Sequence, residues 1–138
     1  MKPGMVLFRS DASITIGSGH VMRCLTLAQT LRTRGVESAF LSRKHPGNLN
    51  DFVRTKGFRV HELPFDQSWT NDSDFQYASW LGASWSQDAE QTLEVISRYP
   101  CDILVVDHYA LGAQWEKRLS GACRFLLAID DLANRPHH

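Results

Sequence analysis

The chain reads as a single α/β domain, a Rossmann-like parallel sheet flanked by helices. Three observations carry that expectation. Short apolar runs alternate with stretches of helical periodicity along the chain, the order that builds a parallel sheet covered by helices. The run Ile103-Leu104-Val105-Val106 is apolar at every position, as a strand buried on both faces must be. Three of the runs end abruptly in polar residues, Arg9-Ser10-Asp11, Asp107-His108-Tyr109 and Asp130-Asp131. In open parallel sheets ligands bind beyond the carboxyl ends of the strands.

Met5 to Phe8 predicts the first strand. A helix is predicted from Val21 to Arg34, where Val21, Cys24, Leu25, Ala28 and Leu31 recur at helical spacing and Gly35 offers a left-handed stop. Val36 to Leu41 predicts the second strand, and the polar turn Ser42 to Gly47 reads as a solvated loop. Asn48 is a candidate cap for a short helix carrying Leu49, Phe52 and Val53, ended by Gly57. Phe58 to Leu63 follows as the third strand, with a Pro64 exit.

Between Pro64 and Gly82 regularity lapses into a polar stretch studded with Phe65, Trp69, Phe75, Tyr77 and Trp80. A connection this long is usually functional or mobile, and its aromatic rings are suited either to cover a sugar ring or nucleobase or to seal the core. Ser84-Trp85-Ser86-Gln87 is a capping box opening a helix with Ala89, Leu93, Ile96 and Tyr99 on one face, stopped by Pro100. After the fourth strand, Ile103 to Val106, the residues Leu111, Trp115 and Leu119 predict a helix closing at Gly121. Arg124 to Ile129 predicts the last strand.

Composition narrows the function. With 138 residues and 43% hydrophobic content the chain supports one core, not two. Fifteen basic and fifteen acidic side chains cancel, which argues against a general nucleic-acid or anionic-membrane binder and for a small ligand. Cys24, Cys101 and Cys123 lack Cys-x-x-Cys spacing and read as reduced core residues of a cytoplasmic protein. No apolar run is long enough to span a bilayer and no cleavable leader opens the chain, so neither membrane nor secretion is expected.

Chemistry is expected around the loop Arg9 to Arg23. A strand that ends in a glycine-bearing loop and opens a helix presents unpaired N–H groups to an anion. Gly17 and Gly19 flank the turn, but Met22 stands where a dinucleotide fingerprint needs glycine or alanine, and no Gly-Lys-Ser/Thr follows. His20 lies at or just before the helix start. A helix N-terminus disfavours imidazolium, so a neutral ring able to take a proton is expected, the condition for a general base. The alternative is a polar neighbour of the helix cap. Asp11 and Asp107 are both candidates to orient the imidazole, while Arg9 and Tyr109 are placed to hold substrate oxygens. His20, His108, Asp107, Asp130 and Asp131 are the candidates for a metal set. They show no compact zinc-type spacing, and no metal or cofactor is expected.

The motifs Arg9-Ser10-Asp11-Ala12-Ser13, Ile16-Gly17-Ser18-Gly19-His20-Val21-Met22-Arg23-Cys24-Leu25, Asp107-His108-Tyr109 and Asp130-Asp131-Leu132-Ala133-Asn134-Arg135-Pro136-His137 together resemble the UDP-sugar hydrolases of bacterial pseudaminic acid biosynthesis. The resemblance implies the N-terminal domain of a two-domain enzyme of the GT-B type. It implies inverting, metal-independent hydrolysis of UDP-2,4-diacetamido-2,4,6-trideoxy-β-L-altropyranose to UDP and free sugar. By that resemblance His20 is the base that activates water and Tyr109 lies against the sugar; from their places in the loop and at the strand ends, Arg9, Asp11, Gly17, Gly19 and His108 join Tyr109 as candidate substrate-binding residues. It also implies a C-terminal nucleotide-binding domain that these residues lack. Pro136-His137-His138 would then be native sequence cut short, and weak or undetectable hydrolysis is expected of residues 1–138 alone. Two rival readings are a sugar transferase using the same cleft and a noncatalytic nucleotide-binding or interaction domain.

Overall fold

The computed structural model describes residues 4–66 and 78–130. Five strands, β1 (Met5–Ser10), β2 (Glu37–Arg43), β3 (Arg59–Leu63), β4 (Ile103–Asp107) and β5 (Phe125–Ala128), alternate with four α-helices. The helices are α1 (Gly19–Thr33), α2 (Asn50–Thr55), α3 (Trp85–Arg98) and α4 (Ala113–Leu119). The strands form one sheet in the order β3-β2-β1-β4-β5, with every neighbouring pair parallel. Chain order reverses between β1 and β4, the switch point at which α/β sheets hold ligands. The α/β, Rossmann-like expectation is therefore met. Among the described residues no helix is long and apolar enough to cross a membrane.

Strand alternation divides the interior into two layers. Val6 and Phe8 of β1, Phe40 of β2, Val60 of β3 and Val105 of β4 pack with Val21, Cys24, Leu25 and Ala28 of α1 and Val53 of α2. On the other face Leu7, Leu41, Leu63, Leu104 and Val106 pack with Ala89 and Ile96 of α3 and Trp115 and Leu119 of α4.

Element boundaries differ from expectation in informative ways. β1 runs on through Arg9 and Ser10, and β2 through Ser42 and Arg43; these polar ends are buried rather than solvated, with Arg9, Ser42 and Arg43 hydrogen-bonded in the interior. Helix α1 begins at Gly19, two residues early, which places His20 inside the first turn. Gly35 does adopt the left-handed φ of 77° that stops this helix. Helix α2 starts at Asn50, yet Asn48 still serves the start, its Oδ1 accepting from the Asn50 N–H at 2.9 Å. The capping box at Ser84 and Gln87 is complete. Of the long connection, a 3-10 helix, Ala78–Leu81, is described. Trp69, Phe75 and Tyr77 lie outside the described residues.

Candidate active site

Strand parity decides which polar side chains meet. Val105 faces α1 and Val106 faces α3 and α4, so Asp107 emerges on the α1 side and His108 on the opposite side. Adjacent residues of one motif are thus parted into two clusters.

On the α1 side, buried Asp107 accepts hydrogen bonds from His20 Nδ1 and from Arg23 Nε and Nη2, each at 2.7 Å. Burial alone would raise the Asp107 carboxyl, but the hydrogen bonds from His20 and Arg23 hold it below the ordinary carboxylate range. An ionised carboxylate only accepts hydrogen bonds, so Nδ1 of His20 carries the proton that joins them. In the neutral ring Nε2 then holds the free lone pair. Among the described residues no hydrogen-bond partner is shown for Nε2, and the His20 side chain as a whole is 8% exposed. Tyr109, half-buried, meets the imidazole edge-on with ring centroids 4.3 Å apart, and Trp80 lies 6.1 Å beyond Tyr109.

Cys24 approaches Asp107 at 3.8 Å. Burial and the Asp107 charge push its thiol up to about 12, so it stays protonated and is no nucleophile. The three cysteines are free.

The loop before α1 supplies the remaining feature. The Ile16 N–H donates to Ser13 Oγ and the Gly17 N–H to the Ser13 carbonyl, both at 2.8 Å, and Gly17 takes a φ of 82°. Ser18 makes no side-chain cap and no acid occupies the first turn. A Cβ at Gly17 or Gly19 would meet nothing within 4 Å, so open space lies beside the amide end of α1.

The second cluster lies on the α3 and α4 side and is an interior charge network. Leu7 and Leu41 face that side, and Arg9 and Arg43, two residues on along their strands, follow them. Asp88, in the first turn of α3, accepts from Arg9 Nε at 3.1 Å, Arg43 Nη2 at 2.7 Å and Trp115 Nε1 at 2.9 Å. Asp11 accepts from Arg9 Nη1 at 2.7 Å, the Arg43 backbone N–H at 2.7 Å, His108 Nε2 at 2.8 Å and His45 Nε2 at 3.1 Å. Burial opposes ionisation of both carboxylates, but the Arg9 charge prevails: Asp11 falls well below the usual range and Asp88 below it. His108 is neutral, because Nε2–H donates to Asp11 while Nδ1 accepts the Ala110 N–H at 3.1 Å. Burial lowers its proton affinity accordingly.

The residues expected to touch substrate therefore separate. His20, Tyr109, Gly17 and Gly19 gather at the carboxyl edge of the sheet around the α1 start. Arg9, Asp11 and His108 are at most 2% exposed and are spent on one another, on Asp88 and on the backbone. Of the two aspartates considered for orienting His20, Asp107 does so. The turn read as solvated is corrected at Arg43 and His45, which are 1% and 4% exposed because Asp88 and Asp11 draw them inward, while Lys44 stays exposed. Sequence reading gave no site role to Arg23 or Asp88. An acid at the fourth position of α3, with the buried Ala89 and Thr92 beside it, was the available signal for Asp88. Among the described residues no group of three or more His, Cys, Asp or Glu side chains is arranged to hold a metal ion. Asp131 lies outside the described residues.

Fold and site together define the class: a Rossmann-like α/β domain with a histidine–carboxylate pair beside an open helix N-terminus at the switch point. No family model matches the chain. It is similar to an uncharacterized glycosyltransferase of Methanosarcina mazei, 31% identical over 107 residues, covering 70% of this chain and 26% of that protein. It is also similar to the UDP-2,4-diacetamido-2,4,6-trideoxy-beta-L-altropyranose hydrolase of Campylobacter jejuni, 27% identical over 135 residues, covering 96% of this chain and 38% of that protein. The chain thus spans about a quarter and about two fifths of the lengths of these curated relatives.

Proposed function

We propose that this chain is the catalytic-base domain of a sugar-nucleotide enzyme, an inverting and metal-independent hydrolase of a UDP-linked 2,4-diacetamido-2,4,6-trideoxy sugar. The observation that carries this reading is the His20–Asp107 pair, with Nδ1 tied to the carboxylate at 2.7 Å and the ring edge-on against Tyr109. Distant similarity to a hydrolase and a glycosyltransferase supports a sugar-nucleotide substrate class.

In this mechanism His20 Nε2 takes a proton from water as its oxygen attacks the anomeric carbon. The bond from that carbon to the diphosphate oxygen breaks, and UDP leaves with the electron pair. Asp107 stabilises the imidazolium that forms, and amides of the α1 start stabilise the departing phosphate. Tyr109 flanks the sugar. Arg9, Asp11 and His108 act beneath the site, fixing the strand ends from which Asp107 and Tyr109 project. A C-terminal domain, the proposed partner of this one, supplies most of the contacts to UDP.

The test is product analysis with the full-length protein and the UDP-sugar. Stoichiometric UDP and free sugar, with the inverted anomer seen first by NMR, are expected, and His20→Ala should lower turnover by about 10²–10⁴-fold. The second reading, a transferase with an acceptor hydroxyl in place of water, is favoured by the similarity to the glycosyltransferase. A glycosylated product and no free sugar would establish it. Full activity of His20→Ala would leave a noncatalytic domain as the remaining reading.

A further inference from the structure

Arg23 stands one turn along α1 from His20 and was given no role by the sequence. Its guanidinium grips Asp107 through two nitrogens, Nε to Oδ2 and Nη2 to Oδ1, each at 2.7 Å. The same Oδ1 accepts His20 Nδ1 at 2.7 Å. Asp107 is fully buried, whereas the Arg23 side chain is 37% exposed. A forked contact of this kind fixes the carboxylate plane as well as its charge. A lone buried carboxylate beside an imidazole would favour the imidazolium and take the ring out of service as a base. With a guanidinium on the same oxygen, much of that attraction is cancelled.

We propose that Arg23 is a positioning residue acting through Asp107: it locks the carboxylate in the orientation that receives His20 Nδ1–H and offsets its charge, leaving Nε2 free to accept a proton. Among the described residues, the groups facing this pair are Arg23, Cys24 and His20 from α1, Tyr109 from the segment after β4, and Ser10 from the neighbouring strand β1, paired in register with Asp107. Of these only Arg23 is a permanent cation, since the Cys24 thiol is held protonated by burial and by Asp107.

The proposal rests on the reading of His20 as a base, but the coupling is measurable without substrate. NMR titration of the His20 ring is carried out on the full-length protein, comparing wild type with Arg23→Met, which keeps the aliphatic stem, and Arg23→Lys, which keeps the charge and loses the fork. In Arg23→Met the ring should titrate about one pH unit higher, and the acid limb of kcat/KM for UDP-sugar hydrolysis should move by the same amount with KM little changed. Arg23→Lys should recover most of the titration shift but not all of the turnover. In an Asp107→Asn background the further change Arg23→Met should move the ring much less. An unchanged titration in folded Arg23→Met would overturn the proposal, as would an equal shift with and without Asp107. If the coupling is seen but no UDP is released, the catalytic reading fails and the positioning role stands.

Discussion

At the scale of single residues, one proton decides the chemistry. Asp107 is ionised and accepts only, so Nδ1–H of His20 is committed to it and Nε2 is the basic nitrogen. Asp107→Asn leaves the shape nearly intact but supplies an amide that can turn its NH2 toward Nδ1, favouring the wrong tautomer. Turnover should fall by about 10²–10⁴-fold with KM little changed, as steady-state kinetics would read; a rise in KM alone would assign Asp107 to substrate binding. The place of His20 at the start of α1 was legible in the sequence because a glycine-bearing loop after a strand opens a helix. The same reading placed Arg9, Asp11 and His108 at the substrate. Residue type and chain position cannot distinguish a polar side chain that faces the cleft from one that turns under it. Parity does: Arg9 shares its face with Leu7, and His108 with Val106, whereas Asp107 shares its face with Val105.

At the scale of elements, the interior charge network ties β1, β2, α3 and α4 at the single carboxylate of Asp88. Replacing one partner of a buried ion pair strands the other, so Asp88→Ala should destabilise by about 3–5 kcal/mol, checked by urea unfolding. The capping box predicts a smaller loss, about 1 kcal/mol for Ser84→Ala. Equal losses for the two variants would mean that Asp88 is not a node. The α3 box and the Gly35 stop were readable because capping chemistry is local. Arg43 and His45 were not, because their burial depends on carboxylates 45 and 34 residues away in the chain. The boundary of α1 was missed by two residues for a related reason: Gly19 and His20 carry no apolar periodicity, and only the fold draws them into the first turn.

At the scale of the whole molecule, the same network sets the response to acid. His108 has a lowered proton affinity in the fold, so its contribution is present above the unfolded value of 6.5 and declines as pH falls below it. Asp11 and Asp88 are depressed, so theirs is intact above 3.8 and is lost as pH falls toward their folded values. Unfolding free energy should therefore decline in two stages, a shallow one below about 6.5 and a steep one below about 4, and His108→Gln should diminish the first, to which His61, lowered by burial and by Arg59, also contributes. A pH-independent free energy between 7 and 4 would contradict the assignment of neutral His108. The parallel sheet was legible from alternation alone, since every crossover in it carries a helix. The separation of one motif into a cleft-facing and an interior cluster is a property of the assembled sheet.

The most direct test of the central claim is a single turnover of the UDP-sugar by the full-length protein in ¹⁸O-labelled water, with products read by mass spectrometry. If His20 aims water at the anomeric carbon, the label enters the free sugar and not UDP, and His20→Gln suppresses its incorporation. Label in the β-phosphate of UDP, or undiminished labelling of the sugar by His20→Gln, would contradict it.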